Sequence, residues 1–366
     1  MHDPDLHRVL KLAEAGGLSM KDLVEASKPK TKDIILDGRH VEVGENLYEA
    51  PRVMREVPEI QNGARIWVDS LCIDQSNVAE RSEEVKRMDQ IYSKADRVIT
   101  YLGPSEDHSD DVLQVIEGLG NGIRSEQAAN LLDHWFEYDL DSEFFHYLAR
   151  LLMRQYWSRI WIMQEVALAS EKSLLICGMK KFSTMGVLLF GKRHTQSSTK
   201  IKVPNRSQLI GQELFVEAEY VEANEPIMTV GALIDGIAKL KNIYELRLLM
   251  ERNKIELEIF NTLWFRTAAE NRSTDPRDLL YGMLAVLPSQ LVEKIKVNYA
   301  AANTYQQVMI DFAAAHIELY QSLHWILLRP WFVFPQSDEW PSWVPNLGLP
   351  FSSAHFWWTL GSWKAW

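Results

Sequence analysis

Apolar positions change their spacing along this chain, and each change marks an element. The stretch "KDIILDGRHVEVG" alternates apolar and polar residues around Asp37-Gly38, which predicts a hairpin. "ENLYEAPRVMREV" switches to helical spacing, with Leu47, Ala50 and Met54 on one side. Within "RIWVDSLCIDQ", Arg65 to Asp69 reads as an apolar strand that ends in a polar cluster. Downstream, Val85, Met88, Tyr92 and Ala95 share one helical face, opposite Glu83, Lys86, Arg87 and Lys94. Asn77 stands where that helix needs a cap, and Glu80 in the third helical position completes a capping box. "RVITYLG" follows as a second apolar strand, stopped by Gly103-Pro104. Strand, amphipathic helix and strand in this order predict a right-handed βαβ unit with parallel strands.

The remaining chain is mostly helical in pattern. Residues 5–27 suit one or two short amphipathic helices, and residues 107–141 a helical insertion. In "SEFFHYLARLLMRQYWSRIWIMQEVALAS", Ser158 is a candidate cap for a helix carrying Ile162, Glu165, Val166 and Ala169. "SLLICG" reads as another strand, and "GKRHTQSSTKIKVPNRSQ" as a polar loop. "TDPRDLLYGMLAVLP" predicts a helix capped by Thr274 or Asp275, with Pro276 in its first turn and Leu280, Met283, Leu284 and Leu287 on its apolar face. The fold class is therefore α/β. The organisation is an N-terminal helical segment over residues 1–31, an α/β domain over 32–190, a linker or loop over 191–225 and a helical, Trp-rich region over 226–366. Eight of the 13 tryptophans fall between Trp325 and Trp366, enough to close a domain face or to form a partner surface.

Composition narrows the function. Of the 366 residues, 46% are hydrophobic and 24% charged, ordinary values for a chain with a core. A net charge of −11 is poorly suited to a phosphate backbone, so nucleic acid is not expected as a partner. The two cysteines, Cys72 and Cys177, make neither a disulfide framework nor metal-type spacing, and fit a reducing compartment. No metal site is expected. The opening "MHDPDLHRVLKLAEAGG" lacks the apolar core of a signal peptide, and "WILLRPWFVF" is short and broken by Arg329 and Pro330. The chain reads as cytoplasmic, without a transmembrane segment. Gly-x-Ser-x-Gly and phosphate-loop motifs are absent from the sequence.

The cluster Asp69, Ser70, Cys72, Asp74 and Gln75 closes the predicted strand, where open α/β sheets gather functional groups. Plainer readings stand beside it. Asp69 can accept backbone N–H groups from its own turn. Asp74 and Gln75 can favour the positive end of the following helix. Cys72 suits a small buried apolar site, and Arg81 with Glu80 a surface pair. Trp67, Trp157 and Trp161 suit a core.

Two long motifs and one shorter one resemble the fungal heterokaryon-incompatibility (HET) domain. The first is "IWVDSLCIDQSNVAERSEEVKRMDQIYSKADRVITYLG", in which Trp67, Asp69, Cys72, Gln75, Glu80 and Arg81 fit the family pattern. Asp74 replaces the usual Asn and Glu84 the usual Gln. The second is "YWSRIWIMQEVALA", and the third is "TDPRDLLYGMLAVLP" with "WPSWVPNLG". The family's opening Leu-Ser-Tyr-x-Trp-Gly strand has no counterpart before Ile34. The resemblance implies nonself recognition and regulated cell death through protein contacts, with protein partners and homo-oligomers. It also implies a TIR-like parallel sheet flanked by helices. Some TIR domains cleave NAD with one glutamate near a Trp, and the most similar position is Glu165, four residues after Trp161. On that reading Glu165 is catalytic, Asp69, Asp74, Gln75 and Trp161 bind substrate, and NAD is the substrate rather than a fixed cofactor. A carboxylate there would stabilise an oxocarbenium-like ribosyl centre. The plainer reading holds Glu165 on a helix surface beside Arg159. A third reading is a degenerate, inactive copy.

Overall fold

The computed structural model describes residues 31–122, 143–196, 225–252, 267, 271–322, 340, 341 and 343–347. The expected N-terminal helices, the "WILLRPWFVF" stretch and most of the Trp-rich tail lie outside the described residues. The chain divides into two units, residues 1–66 and 67–366.

In the first unit, strands β1 (Thr31–Leu36) and β2 (Arg39–Gly44) form the expected antiparallel hairpin, in register from Thr31↔Gly44 to Leu36↔Arg39. Asp37 and Gly38 both have positive φ, 48° and 76°, as a two-residue turn that follows the strand twist requires. Helix α1 (Glu45–Met54) follows and buries Ala50 and Val53, and the single turn α2 (Pro58–Gln61) comes next.

The anticipated strand over Arg65–Asp69 is not formed. Residues 64–68 are irregular and lead into a one-turn helix, α3 (Asp69–Cys72). The reason is local. The Val68 carbonyl accepts from the Leu71 and Cys72 N–H groups, and the Asp69 carbonyl from the Ile73 N–H, so these acceptors serve a helical turn rather than a ladder. Helix α4 (Val78–Lys94) is as expected and buries Val85 and Met88. Asn77 caps it by accepting the Glu80 N–H at 3.2 Å. The Glu80 carboxylate, however, reaches back to the Asp74 N–H at 3.0 Å rather than to Asn77.

A three-stranded sheet lies in the second unit, in the order β3 (Ile99–Tyr101), β4 (Leu174–Cys177), β5 (Lys180–Ser183). Strand β3 pairs with β4 in parallel, Ile99↔Leu174 to Tyr101↔Ile176, and β5 returns antiparallel to β4. The crossover between β3 and β4 carries helices α5 (Ser109–Asn121), α6 (Glu143–Leu152) and α7 (Ile162–Ala167). This is a mixed helix-and-strand architecture, consistent with α/β. The βαβ unit expected from residues 65–103 is replaced by a parallel pair formed across this longer crossover. Three strands, one of them antiparallel, do not define a TIR-like sheet.

Helix α8 (Thr184–Gln196) takes up the first six residues read as a loop. Its glycines allow close approach: a Cβ on Gly191 would sit 2.6 Å from Leu240 Cβ on helix α9 (Glu225–Arg252). Farther along, "TDPRDLLYGMLAVLP" forms one turn, α10 (Asp278–Tyr281), and a short 3-10 turn over Leu284–Val286, not the single helix expected. A Cβ on Gly282 would meet the Asp278 carbonyl at 2.8 Å and Ile160 Cγ2 at 2.9 Å, so tight packing on Ile160 fits the break there. Helices α11 (Ser289–Val292) and α12 (Tyr305–Tyr320) are the last of the described helices. One hydrophobic cluster joins Leu113, Ile116, Leu148, Ile162, Leu280 and Phe312, so the crossover and the C-terminal helices share a core.

Candidate functional site

Ser158 does not cap α7. Its hydroxyl donates to the Gln155 carbonyl at 2.8 Å, and Trp161 holds the cap position without a side-chain bond. Residues 158–160 instead run beside Arg272. The Arg272 N–H donates to the Ser158 carbonyl at 2.6 Å, the Ile160 N–H to the Arg272 carbonyl at 3.0 Å, and Arg159 and Arg272 form a parallel bridge. That bridge brings "YWSRIW" and "RSTDPRD", residues 272–278, to one place.

A cleft of about 1020 Å³ opens there. One wall comes from Asp69, Gln75, Arg81, Arg159 and Trp161, and the other from residues 272–278 with Asn303 to Tyr305. Its volume is in the range of small-molecule sites. Of the residues singled out in the sequence, Asp69, Gln75 and Trp161 line it. Asp74 and Glu165 do not. Asp74 is exposed and turned to its own loop, accepting from the Ser76 N–H at 3.0 Å and the Ser76 hydroxyl at 2.6 Å, which hold its carboxyl below the usual range. Asp69 accepts the Ser70 N–H at 2.7 Å, the turn role open to it, and Gln75 Nε2 donates to the Asp69 carbonyl at 3.3 Å. Cys72 is exposed, contrary to the buried role expected, while Cys177 is buried.

Glu165 is half-buried in α7, beside the cleft rather than in its lining. Burial pushes its carboxyl up, Asp69 adds to that, and Arg159 and a hydrogen bond from Tyr156 pull it down. The Tyr156 phenol also meets Thr100 Oγ1 at 3.0 Å, and burial next to Glu165 raises it. Tyr92 is raised for the same reasons, burial first and then Glu165 and Asp69. Burial works against the Arg159 cation, yet Glu165 and Asp69 outweigh it and raise its pKa. Asp69 and Glu165 thus belong to one electrostatic cluster centred on Arg159, and Asp74 does not.

A second cluster fastens the two walls. The Arg81 guanidinium lies 3.5 Å from Asp278 and 3.7 Å from Asp275, and stacks on the Tyr299 ring at 3.7 Å. Arg81 is therefore not a surface partner of Glu80. Arg277 grips Asp275 through Nε at 2.9 Å and Nη2 at 2.8 Å, and its Nη1 donates to the Ala300 and Asn303 carbonyls. Tyr299 donates its hydroxyl to Asp278, and Trp161 also bonds this carboxyl. Burial pushes Asp278 up to about 6 against these donors and Arg81. Trp157 is buried as expected of a core residue, and Trp67 packs edge-on to Tyr92.

Sequence reasoning passed over Tyr92, Tyr156, Arg159 as a centre, and Arg272. The signal was present in the "WSRIW" and "TDPRD" motifs, but not the fact that they meet. Among the described residues no group of three His, Cys, Asp or Glu side chains could hold a metal. Among them, too, no helix is long and apolar enough to cross a membrane.

A mixed α/β segment whose motif-bearing cleft is closed by downstream loops is the class of module that this fold and site define. Residues 16–165 match the family model described as heterokaryon incompatibility protein (HET), so this part of the chain is similar to that family. Over 319 residues the chain is 23% identical to "Heterokaryon incompatibility protein 6, OR allele" of Neurospora crassa, an alignment covering 77% of this chain and 44% of that relative. The chain therefore spans under half the length of the curated relative it matches. No solved structure matches it.

Proposed function

We propose that this chain acts in fungal nonself recognition and regulated cell death, through protein contacts made in the cytoplasm. The observation that carries the reading is the closure of the HET-matched wall, Asp69 to Trp161, by Asp275 and Asp278 from outside the matched segment. A recognition module needs a surface whose state a partner can change, and a cleft held by ion pairs between two walls offers one. The test is overexpression in a fungal host. The intact chain should arrest growth, and Arg272→Glu, which alters the exposed rim, should abolish the arrest while circular dichroism stays unchanged. Normal growth with the intact chain would refute the reading and favour a degenerate copy.

The cluster around Arg159 supports a second reading, an NAD glycohydrolase using Glu165. Nicotinamide would leave with the bonding electrons, water would add to the ribosyl carbon, and ADP-ribose and a proton would result. The Glu165 carboxylate would stabilise the cationic centre, Asp69 would contact the ribose and Trp161 would stack on a ring. Arg159 supports that role by opposing the burial that would protonate Glu165. Purified protein should consume NAD, and Glu165→Gln should abolish turnover. Absence of turnover in the intact protein removes this reading.

A further inference from the structure

Two hydroxyl groups lead from the sheet to Glu165 without entering the lining of the cleft, those of Thr100 and Tyr156. Thr100 stands on β3, opposite Leu175 of β4. Only 5% of it is exposed, so its hydroxyl needs a protein partner. That partner is the Tyr156 phenol, 3.0 Å from Thr100 Oγ1. Tyr156 lies in the 3-10 turn Gln155–Ser158, packs edge-on to Trp157 and hydrogen-bonds the Glu165 carboxyl. An ionised carboxylate only accepts, so Tyr156 must donate to it. The phenol oxygen is then left to accept, and Thr100 must be the donor of the first bond. The electrostatics agree: Thr100 lowers the Tyr156 pKa, as a donor does, and Glu165 raises it, as an acceptor does. A protonated Glu165 can donate, and both bonds would then run the other way.

We propose that Thr100 and Tyr156 form a directional hydroxyl relay that anchors the Glu165 carboxylate to the sheet, with Tyr156 as its positioning residue. The use of the relay in catalysis rests on the NAD glycohydrolase reading; its effect on Glu165 does not. The charged and titratable groups around Glu165 are Arg159, which precedes α7, Asp69 of α3, Tyr92 of α4 and Tyr156 itself. Of these, Arg159 and Tyr156 favour the ionised carboxylate. Arg159 does so through charge alone, whereas Tyr156 adds a direction, because a hydrogen bond has a preferred geometry. The ring of Tyr156 is held by Trp157, and the β-branched side chain of Thr100 is stiff. A carboxylate held by a rigid donor needs no reorganisation when positive charge develops beside it.

Titration of the labelled Glu165 carboxyl in the full chain tests this. Tyr156→Phe keeps the ring and should raise the Glu165 pKa. Thr100→Val should raise it less, and Thr100→Ser, which keeps a hydroxyl, should leave it near its original value. Because Thr100 acts only through the phenol, Thr100→Val should add nothing in the Tyr156→Phe background. If the intact chain consumes NAD, Tyr156→Phe should lower kcat about tenfold and move the acidic limb of the pH profile upward. KM should stay unchanged, because Tyr156 lies outside the lining. An intact chain without turnover removes the enzyme reading and leaves the titrations to decide the relay. A Glu165 titration unmoved by Tyr156→Phe, or shifted equally by Thr100→Val in both backgrounds, would overturn the proposal. A shifted Glu165 with kcat unchanged would overturn its catalytic use.

Discussion

Two arginine–carboxylate clusters border the same cleft and are built on opposite plans. Around Arg81, every charge has a direct partner. Its guanidinium meets Asp278 at 3.5 Å and covers the Tyr299 ring, and Arg277 holds Asp275 in a two-point fork. Around Arg159, the carboxylates of Glu165 and Asp69 act through space on a guanidinium that burial disfavours, and the residue lines the cleft. Saturated contacts fix a geometry. Partly committed charges leave capacity for something else to bind or react. The first cluster reads as a fastening, and the second as the place where the cleft works.

The contrast breaks most easily at Arg81. Arg81→Ala leaves Asp278, only 7% exposed at its side chain, buried without its cation. Removing one partner from such a pair should cost about 3 kcal/mol in denaturant unfolding. A loss below about 1 kcal/mol would mean that Tyr299 and Trp161 carry the fastening without it.

The next effect is a pH dependence. Burial raises the Asp278 carboxyl from 3.8 to about 6, with Tyr299, Arg81 and Trp161 opposing and Asp275 assisting. The folded state then holds a proton that the unfolded state releases, so this contribution is full below 3.8 and is lost as pH rises through about 6. Asp278→Asn should remove a decline worth about 3 kcal/mol across that window, seen by comparing denaturation at several pH values. Asp275 works in the opposite direction. Arg277, and more weakly Arg81, outweigh its burial and hold it below 3.8, so its contribution is lost only as pH falls through that lower value. The two windows do not overlap.

What could be read from the sequence was what is local. The hairpin at Asp37-Gly38, the Asn77 cap, the face Val85–Met88 and the strand "SLLICG" are each set by residues a few positions apart. The strand expected at Arg65–Asp69 failed because periodicity cannot show that Val68 and Asp69 carbonyls are already taken by a turn. The long helix expected after Asp275 failed because the contact of Gly282 with Ile160 is a tertiary fact. In the site, Asp69, Gln75 and Trp161 were named from motifs and line the cleft, while Asp74, equally acidic and five residues from Asp69, turns to Ser76. Spacing alone could not separate them. Arg272 and Asp278 could not be placed at all, because their importance comes from pairing with residues far away in the chain.

The sharpest use of the comparison has the smallest expected effect on stability. Arg159→Gln removes a cation held only through space, without the direct ion pairs of Arg81, so it should lower unfolding free energy by less than Arg81→Ala does. Its effect should appear instead in the titration of Glu165. That carboxyl is already raised by burial, with Arg159 as the main opposing influence. Without the cation, the opposing influence left is the Tyr156 hydrogen bond, and the Glu165 pKa should climb further, visible in the carboxyl resonance of the labelled side chain. A destabilisation equal to that of Arg81→Ala, or a Glu165 titration unmoved by the substitution, would make both clusters fastenings and would erase the distinction between them.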